Sequence, residues 1–315
     1  MGGPAVGRQG EIHRGGNVGQ TVDQGAVQIE HNSTDHRLAF LFSIVSDNRD
    51  SEEWQAVAKK SDQRRGPAAF DRHFGAVYGD RWPVLREALA APGRPEAHLE
   101  GLEKPYYLDG ASVRAARRLE VQPNDEVLDM CAAPGGKTLV LALALGGTGR
   151  LVSNDRSADR RGRLKRVIDE HLPTVLKTIV TVTGYDATKW GLHEKDAYDR
   201  ILLDAPCSSE RHLVHSPGHL ADWSPNRTKA LAQQAMAMLC AALEALRPGG
   251  RLLYSTCSIS PEENEGLLGR FATKRPDAWT LIDQCLVLPD ESGEGPLFYA
   301  LIEKVTRTPS APESS

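Results

Sequence analysis

The chain has 315 residues, 40% of them hydrophobic and 25% charged, with a formal net charge of −4 at pH 7. That suits one large α/β core with a small appendage, and any surface for a polyanion must be local. No apolar run reaches the roughly 18 residues of a membrane span, and no basic-then-apolar leader opens the chain. Five scattered cysteines give neither a disulfide framework nor a paired zinc pattern, so a reducing compartment and no metal are expected.

Residues 1–62 are rich in Gly, Gln and Asp with little periodicity and read as a variable, disordered segment. Glu11, Asp23 and Glu30 make it a poor organelle transit peptide. Residues 63–108 are predicted to form a helical cap: "FDRHFGAVYGDRWPVLREALA" (70–90) has helical spacing, with Pro83 in a first-turn position. "DGASVRAARRL" (109–119) is a further helix and opens a domain over 109–305.

From there strands and helices alternate. "EVLDM", "RLVSND", "KTIVTVTG", "AYDRILLDA" and "RLLYST" read as strands, "CLVLPD" and "PLFYALIEKV" as a closing hairpin across "ESGEG". "GKTLVLALALG", "SADRRGRLKRVIDEHL", "PNRTKALAQQAMAMLCAALEALRPGG" and "PEENEGLLGRFATK" read as the helices between them. Continuous apolar strands with helical crossovers predict an α/β fold, a doubly wound, mostly parallel seven-stranded sheet whose last strand is antiparallel. Residues 306–315 are a flexible tail.

"VLDMCAAPGGKT" (127–138) reads as strand, glycine turn and helix start. Gly135 and Gly136 are expected to let the backbone approach a ligand at a helix amino end. A phosphate loop is disfavoured, because Cys131 stands where that motif needs glycine, and no GxGxxG is present. Asp155 follows Gly135 at about the 20-residue spacing at which an acid reaches ribose hydroxyls. Asp186, after the third strand, can accept from an exocyclic amine. Each acid could equally cap the next turn. Together with the glycine turn they favour S-adenosyl-L-methionine.

"DMCAAPGGKT", "DAPCSSERH" and "YSTCSISPEEN" resemble motifs I, IV and VI of the Sun-family RNA cytosine-5 methyltransferases. "FDRHFGAVYGDRWPVLREAL", "KPYYLDGASV" and "VLPDESGEGPLFYA" resemble the compact branch acting on small-subunit rRNA, mitochondrial members included. The resemblance spans 68–305 and implies a Rossmann-like class I methyltransferase. It implies cofactor contacts at Cys131, Ala132, Ala133, Pro134, Gly135, Gly136, Lys137, Asp155, Arg160, Asp186 and Asp204.

Carbon 5 of cytosine is a poor nucleophile until a thiolate adds to carbon 6 and makes it enamine-like. Charge then develops at N3, and after methyl transfer a proton and the thiol must leave. The resemblance makes Cys257 the nucleophile and Cys207 the residue assisting release, with Asp204 holding the base and Lys137 beside it. In related DNA enzymes the thiol after proline attacks, so Cys207 stays open as nucleophile. Cys131, Cys240 and Cys285 read as packing residues.

The implied partner is RNA, small-subunit rRNA before tRNA, with a protein partner supplying RNA affinity. The implied compartment is bacterial cytoplasm, with the mitochondrial matrix as the alternative. Arg156, Arg160, Arg161 and Arg211 are candidates for flanking phosphates, and His212 and Trp223 for bases, on the polar loop 209–225. The basic run 150–166 reads equally as a solvated helix face. A catalytically idle assembly factor that binds rRNA and a nucleoside triphosphatase are the readings from other classes.

Overall fold

The computed structural model describes residues 64–98 and 100–306, so the expectations for 1–62 and for 307–315 lie outside the described residues. Val127, Leu128, Leu151, Val152, Ile201, Leu202, Leu203, Leu252 and Leu253 are all buried. They come from four adjacent strands: β3 (Glu126–Asp129), β4 (Arg150–Asn154), β6 (Tyr198–Asp204) and β7 (Leu246–Thr256). With β5 (Val180–Thr183), β8 (Trp279–Val287) and β9 (Leu297–Lys304) they make a seven-stranded sheet of order β5-β4-β3-β6-β7-β9-β8. The first five strands run parallel, and β9 pairs antiparallel with both β7 and β8. Doubly wound order and antiparallel last strand agree with the expectation.

The chain winds outward from β3 to β5, then returns to start β6 on β3's other side. This reversal opens a crevice at the carboxyl ends of β3 and β6, where ligands enter sheets of this kind. One sheet face packs on α3 (Gly110–Arg118), α4 (Gly136–Leu145) and α5 (Ala158–His171). The other packs on α9 (Pro225–Ala245) and α10 (Glu265–Lys274).

Ahead of the sheet stand α1 (Gly66–Tyr78) and α2 (Trp82–Ala90), the two predicted cap helices. The cap is not purely helical, because β1 (Glu96–His98) and β2 (Tyr106–Leu108) pair as an antiparallel hairpin. β2 lies over the first turn of α4: a Cβ on Gly136 would sit 2.9 Å from Tyr106 Cε1 and 3.0 Å from a Leu108 methyl. The three-residue strands are too short for a periodicity signal. Phe70, Phe74, Trp82, Leu85 and Leu89 of the helices share a core with Leu213, Leu220, Trp223 and Ile259. Each such buried side chain is worth about 1.5–3 kcal/mol, so this core fastens the cap to the turns that follow β6 and β7.

Two boundaries differ from the pattern. The long helix ends at Ala245, and Leu246 already pairs with Tyr198, because the residue before Pro248 is steered away from helical angles. The helix predicted from Pro261 starts at Glu265. Asn264 turns inward instead, donating to Ser258 O at 2.8 Å and accepting from Thr256 Oγ1 at 2.7 Å.

Candidate active site

Strand pairing alone brings the two cysteine motifs together. β6 and β7 run parallel in register, Asp204 opposite Ser255, so the chain leaves both strands at one edge. The turns that follow put Cys207 Sγ 3.2 Å from Cys257 Sγ. The Cys257 backbone N–H donates to Cys207 Sγ at 3.3 Å, and Ser209 Oγ lies 3.1 Å from Cys257 Sγ. Ser209 reaches it from a left-handed conformation, φ 55°, ahead of α7 (Glu210–Val214). Such strain in a non-glycine residue costs about 1–3 kcal/mol and gathers at functional sites.

The geometry separates the two thiols electronically. A hydrogen bond from Cys207, with help from Ser209, holds the Cys257 pKa below the ordinary thiol value against burial and the nearby Asp204 and Glu210. The same contact, added to burial, pushes Cys207 well up. Cys257 is exposed to solvent and Cys207 is half-buried. At one site, then, stand a reachable thiol whose ionisation is favoured and a second thiol in hydrogen-bond contact with it.

Lys137, in the first turn of α4, donates to Asp204 Oδ2 at 2.7 Å. Burial pushes its pKa down, but the Asp204 charge and hydrogen bond outweigh this and the net shift is upward. The lysine therefore stays an ammonium within the field that reaches Cys257. Asp129, at the end of β3, carries no functional signal in the sequence beyond its place in an apolar strand. It accepts from Thr138 Oγ1 at 2.7 Å, its other oxygen has no partner, and burial raises its pKa to about 7.

Beside this centre lies a cleft of about 390 Å³ over the ends of β3, β4 and β5, lined among others by Cys131, Asp155, Arg160, Asp186 and Met238. Asp155 is buried; its Oδ1 accepts from Ser157 N at 2.9 Å, while Oδ2 makes no hydrogen bond and has Arg160 Nη1 at 3.3 Å. A buried carboxylate oxygen without a hydrogen bond facing a cleft fits a ribose diol. Asp186 does what the plainer reading expected, capping the 3₁₀ turn Ala187–Leu192 through Thr188. Those bonds hold its pKa down, and its second oxygen stands 3.9 Å from exposed Arg156. Cys131, buried, touches Met238 sulfur at 3.9 Å and lines the cleft. Ala132 and Ala133 are buried in the turn, and the Ala133 carbonyl accepts from Arg160.

Gly135 also has a packing role. Its φ is 122°, and an added Cβ would meet Val167 and Leu164 of α5 at 3.0 and 3.1 Å. Gly135 and Gly136 give way to α5 and β2. Trp223 is wholly buried in the cap core and is no base-stacking residue. Arg161 donates to the carbonyls of Asp155 and Arg156, so Arg160 and Arg161 shape the cleft.

On the far side of Cys257 a second cleft of about 440 Å³ is lined by Arg94, Arg211, His212 and His215. Arg211 is half-buried, its Nε has no partner, and burial lowers its pKa. Among the described residues neither arginine forms an ion pair. No motif surrounds Arg94, so nothing in the sequence marks it. Cys240 is buried in α9, and Cys285 lies in β8 away from both clefts. Among the described residues no three His, Cys, Asp or Glu side chains group as a metal site, and no helix is long and apolar enough to cross a membrane.

A doubly wound sheet with strand-end acids around a switch-point cleft is the architecture of the class I methyltransferases. The chain belongs to the 16S rRNA methyltransferase RsmB/F family, whose sequence model matches residues 116–300. It is 43% identical over 170 residues to the 5-cytosine rRNA methyltransferase NSUN4 of Bos taurus, covering 52% of this chain and 44% of that protein. It is 36% identical over 184 residues to the mitochondrial tRNA (cytosine(34)-C(5))-methyltransferase of Danio rerio, covering 58% of this chain and 50% of the relative. The chain thus spans about half the length of these curated relatives. Among solved structures, NSun6 from Pyrococcus horikoshii with SFG superposes with a TM-score of 0.56 at 29% identity, over 69% of this chain and 57% of that one.

Proposed function

We propose that this protein methylates carbon 5 of cytosine in RNA, using S-adenosylmethionine and a covalent adduct between Cys257 and carbon 6. The observation that carries the reading is the pair of sulfurs 3.2 Å apart at the ends of adjacent strands, beside the Lys137–Asp204 ion pair. Cys257 is the proposed nucleophile because its thiolate is the stabilised one and it is the exposed one. Asp204 holds the pyrimidine by accepting from its exocyclic amine, and the Lys137 ammonium offsets the negative charge that develops at N3.

Bound S-adenosylmethionine supplies the methyl group as a sulfonium, with Asp155 holding its ribose and Asp186 its adenine amine. Cys131, Ala132, Ala133, Pro134, Gly135 and Gly136 form the turn beneath it, and Arg160 steadies that turn through the Ala133 carbonyl. Once Cys257 sulfur is bonded to carbon 6, its negative charge is gone, and so is one main reason Cys207 is hard to ionise. Cys207 then gives up its own proton to solvent, its thiolate takes the proton from carbon 5, and the electron pair left behind expels the Cys257 thiolate.

Arg94 and Arg211 hold phosphates flanking the target nucleotide, which must be single-stranded or flipped out. Small-subunit rRNA is the proposed substrate, on the family description and the bovine relative's name, with a protein partner adding RNA affinity. The proposed compartment is one that keeps thiols reduced, bacterial cytoplasm before mitochondrial matrix. Residues 64–108 are proposed to act with the 109–305 domain rather than as a separate module, since their core is shared.

The test is a pair of substitutions assayed with labelled cofactor on unmodified rRNA and tRNA. Cys257→Ala should abolish turnover and any adduct. Cys207→Ala should accumulate a protein–RNA conjugate stable to denaturant. The reverse pattern makes Cys207 the attacker, labelling of tRNA alone replaces the substrate, and wild-type binding without label makes the chain an idle assembly factor.

A further inference from the structure

Beneath the sulfurs lies a second, wholly buried pair of facing residues. Each cysteine is followed by a serine, and Ser208 Oγ stands 3.0 Å from Ser258 Oγ, repeating the sulfur contact one residue deeper. Two carboxylates close around these hydroxyls. Glu210 opens α7 and Glu263 sits in the turn before α10; they are 0% and 1% exposed.

Ser208 Oγ contacts Glu210 Oε1 and Glu263 Oε2, and Ser258 Oγ reaches the same two oxygens at 3.3 and 2.6 Å. Glu210 Oε2 accepts from Ile259 N at 2.9 Å, and Glu263 Oε1 accepts from Ser208 N at 3.0 Å. Each glutamate is thus bonded to the opposite cysteine turn. Among the described residues neither forms an ion pair, although a buried charge normally demands one.

Protons can be counted in this cluster. Two serine hydroxyls and two carboxylate oxygens make five close oxygen–oxygen contacts, but the hydroxyls bring only two protons. With both glutamates ionised, three of the five contacts set bare oxygen against bare oxygen in a dry interior, one of the three shortest among them, which is strongly unfavourable. A carboxyl proton fills the last of the three short contacts and leaves bare only the two longest, at 3.0 and 3.3 Å.

We propose that Glu210 and Glu263 share one proton and through it latch the two cysteine turns together, acting as positioning residues for the thiol pair. Loss of that proton at alkaline pH loosens the latch and separates the sulfurs. The direction agrees with the environment: burial and the Glu263 charge raise Glu210 to about 7, and burial raises Glu263. The titratable groups facing the latch are Cys207 and Cys257 above it, Tyr78 from α1, Tyr254 from β7 and Glu262 from its own turn. None is a cation. Arg270 of α10 comes near only through Tyr254 and the Glu262 carbonyl.

The inference rests on reading Cys207 and Cys257 as the reacting pair, yet its test needs neither RNA nor cofactor, so the two can fail separately. Diamide takes two electrons and two protons from the thiols as a Cys207–Cys257 disulfide forms, and peptide mass spectrometry reads the rate. Thiol oxidation normally rises about tenfold per pH unit below the thiol pKa. In the wild type the rise should flatten above pH 7. Glu210→Gln, which keeps a donor in place at every pH, should restore it, widening the pH 9 to pH 7 rate ratio at least about fivefold.

Parallel profiles for the two proteins would overturn the latch. Should Glu210→Gln fail to fold, ¹³C titration of wild-type glutamate carboxyls reads the same proton. One carboxyl titrating near 7 sustains the latch, and none above the ordinary carboxylate range refutes it.

Discussion

Asp204→Asn removes the charge that holds Lys137 in place. The Lys137 side chain is only 12% exposed and its Nζ reaches Asp204 at 2.7 Å, whereas Asp204 itself is 33% exposed. A hydrogen bond between charged groups is worth about 1.5–3 kcal/mol, and partial exposure of the acid points to the lower end, about 1.5–2 kcal/mol. For a domain of this size that is a fall in Tm of about 3–8 °C.

Lys137 has its pKa raised in the fold, so the stabilisation is complete below the unfolded value of about 10.4 and fades only as pH rises through the higher folded one. The deficit of the variant should therefore be constant from pH 6 to 9. The assay is a double-mutant cycle in urea with Asp204→Asn, Lys137→Met and the pair. A coupling of about 1.5 kcal/mol is expected, and additivity within about 0.5 kcal/mol would refute the ion pair as a structural and electrostatic unit. Turnover by Asp204→Asn should fall about 10²–10³-fold if the acid works where charge develops.

Gly135→Ala should cost at least about 2 kcal/mol in thermal unfolding, since a positive φ and overpacking add. Gly146→Ala, with φ 62° but open space around it, should cost about 1 kcal/mol; equal effects would remove the packing role of Gly135. Arg94→Gln and Arg211→Gln should each weaken RNA binding and reduce the slope of log affinity against log salt by about 1, leaving S-adenosylmethionine affinity unchanged. An unaltered salt slope would mean that the second cleft does not hold phosphate.

Most of the sheet could be read from the chain, because a parallel strand buried on both faces is written as an unbroken apolar run: "RILLD" and "RLLYST" leave little choice. So could the motif cysteines and Asp155, since strand-end residues of a doubly wound sheet converge at one edge whatever else happens. The helices that open at "DGAS" and "SADRR" were legible for a local reason: Asp109 and Ser157 each cap their own first turn.

Only tertiary structure decided what depends on partners distant in sequence. Trp223 looked like a base-stacking residue in a polar loop until Phe70 and Phe74 enclosed it from about 150 positions earlier. That Gly135 must also make room for Val167 and Leu164 became visible only once α5 came against it. Glu210 and Glu263 carry no burial signal in "SSERH" and "SPEEN", and become a buried pair because β6 and β7 are neighbours. A one-dimensional pattern fixes which face of its own element a residue takes, whereas burial, shared protons and pKa depend on what the rest of the fold places opposite it.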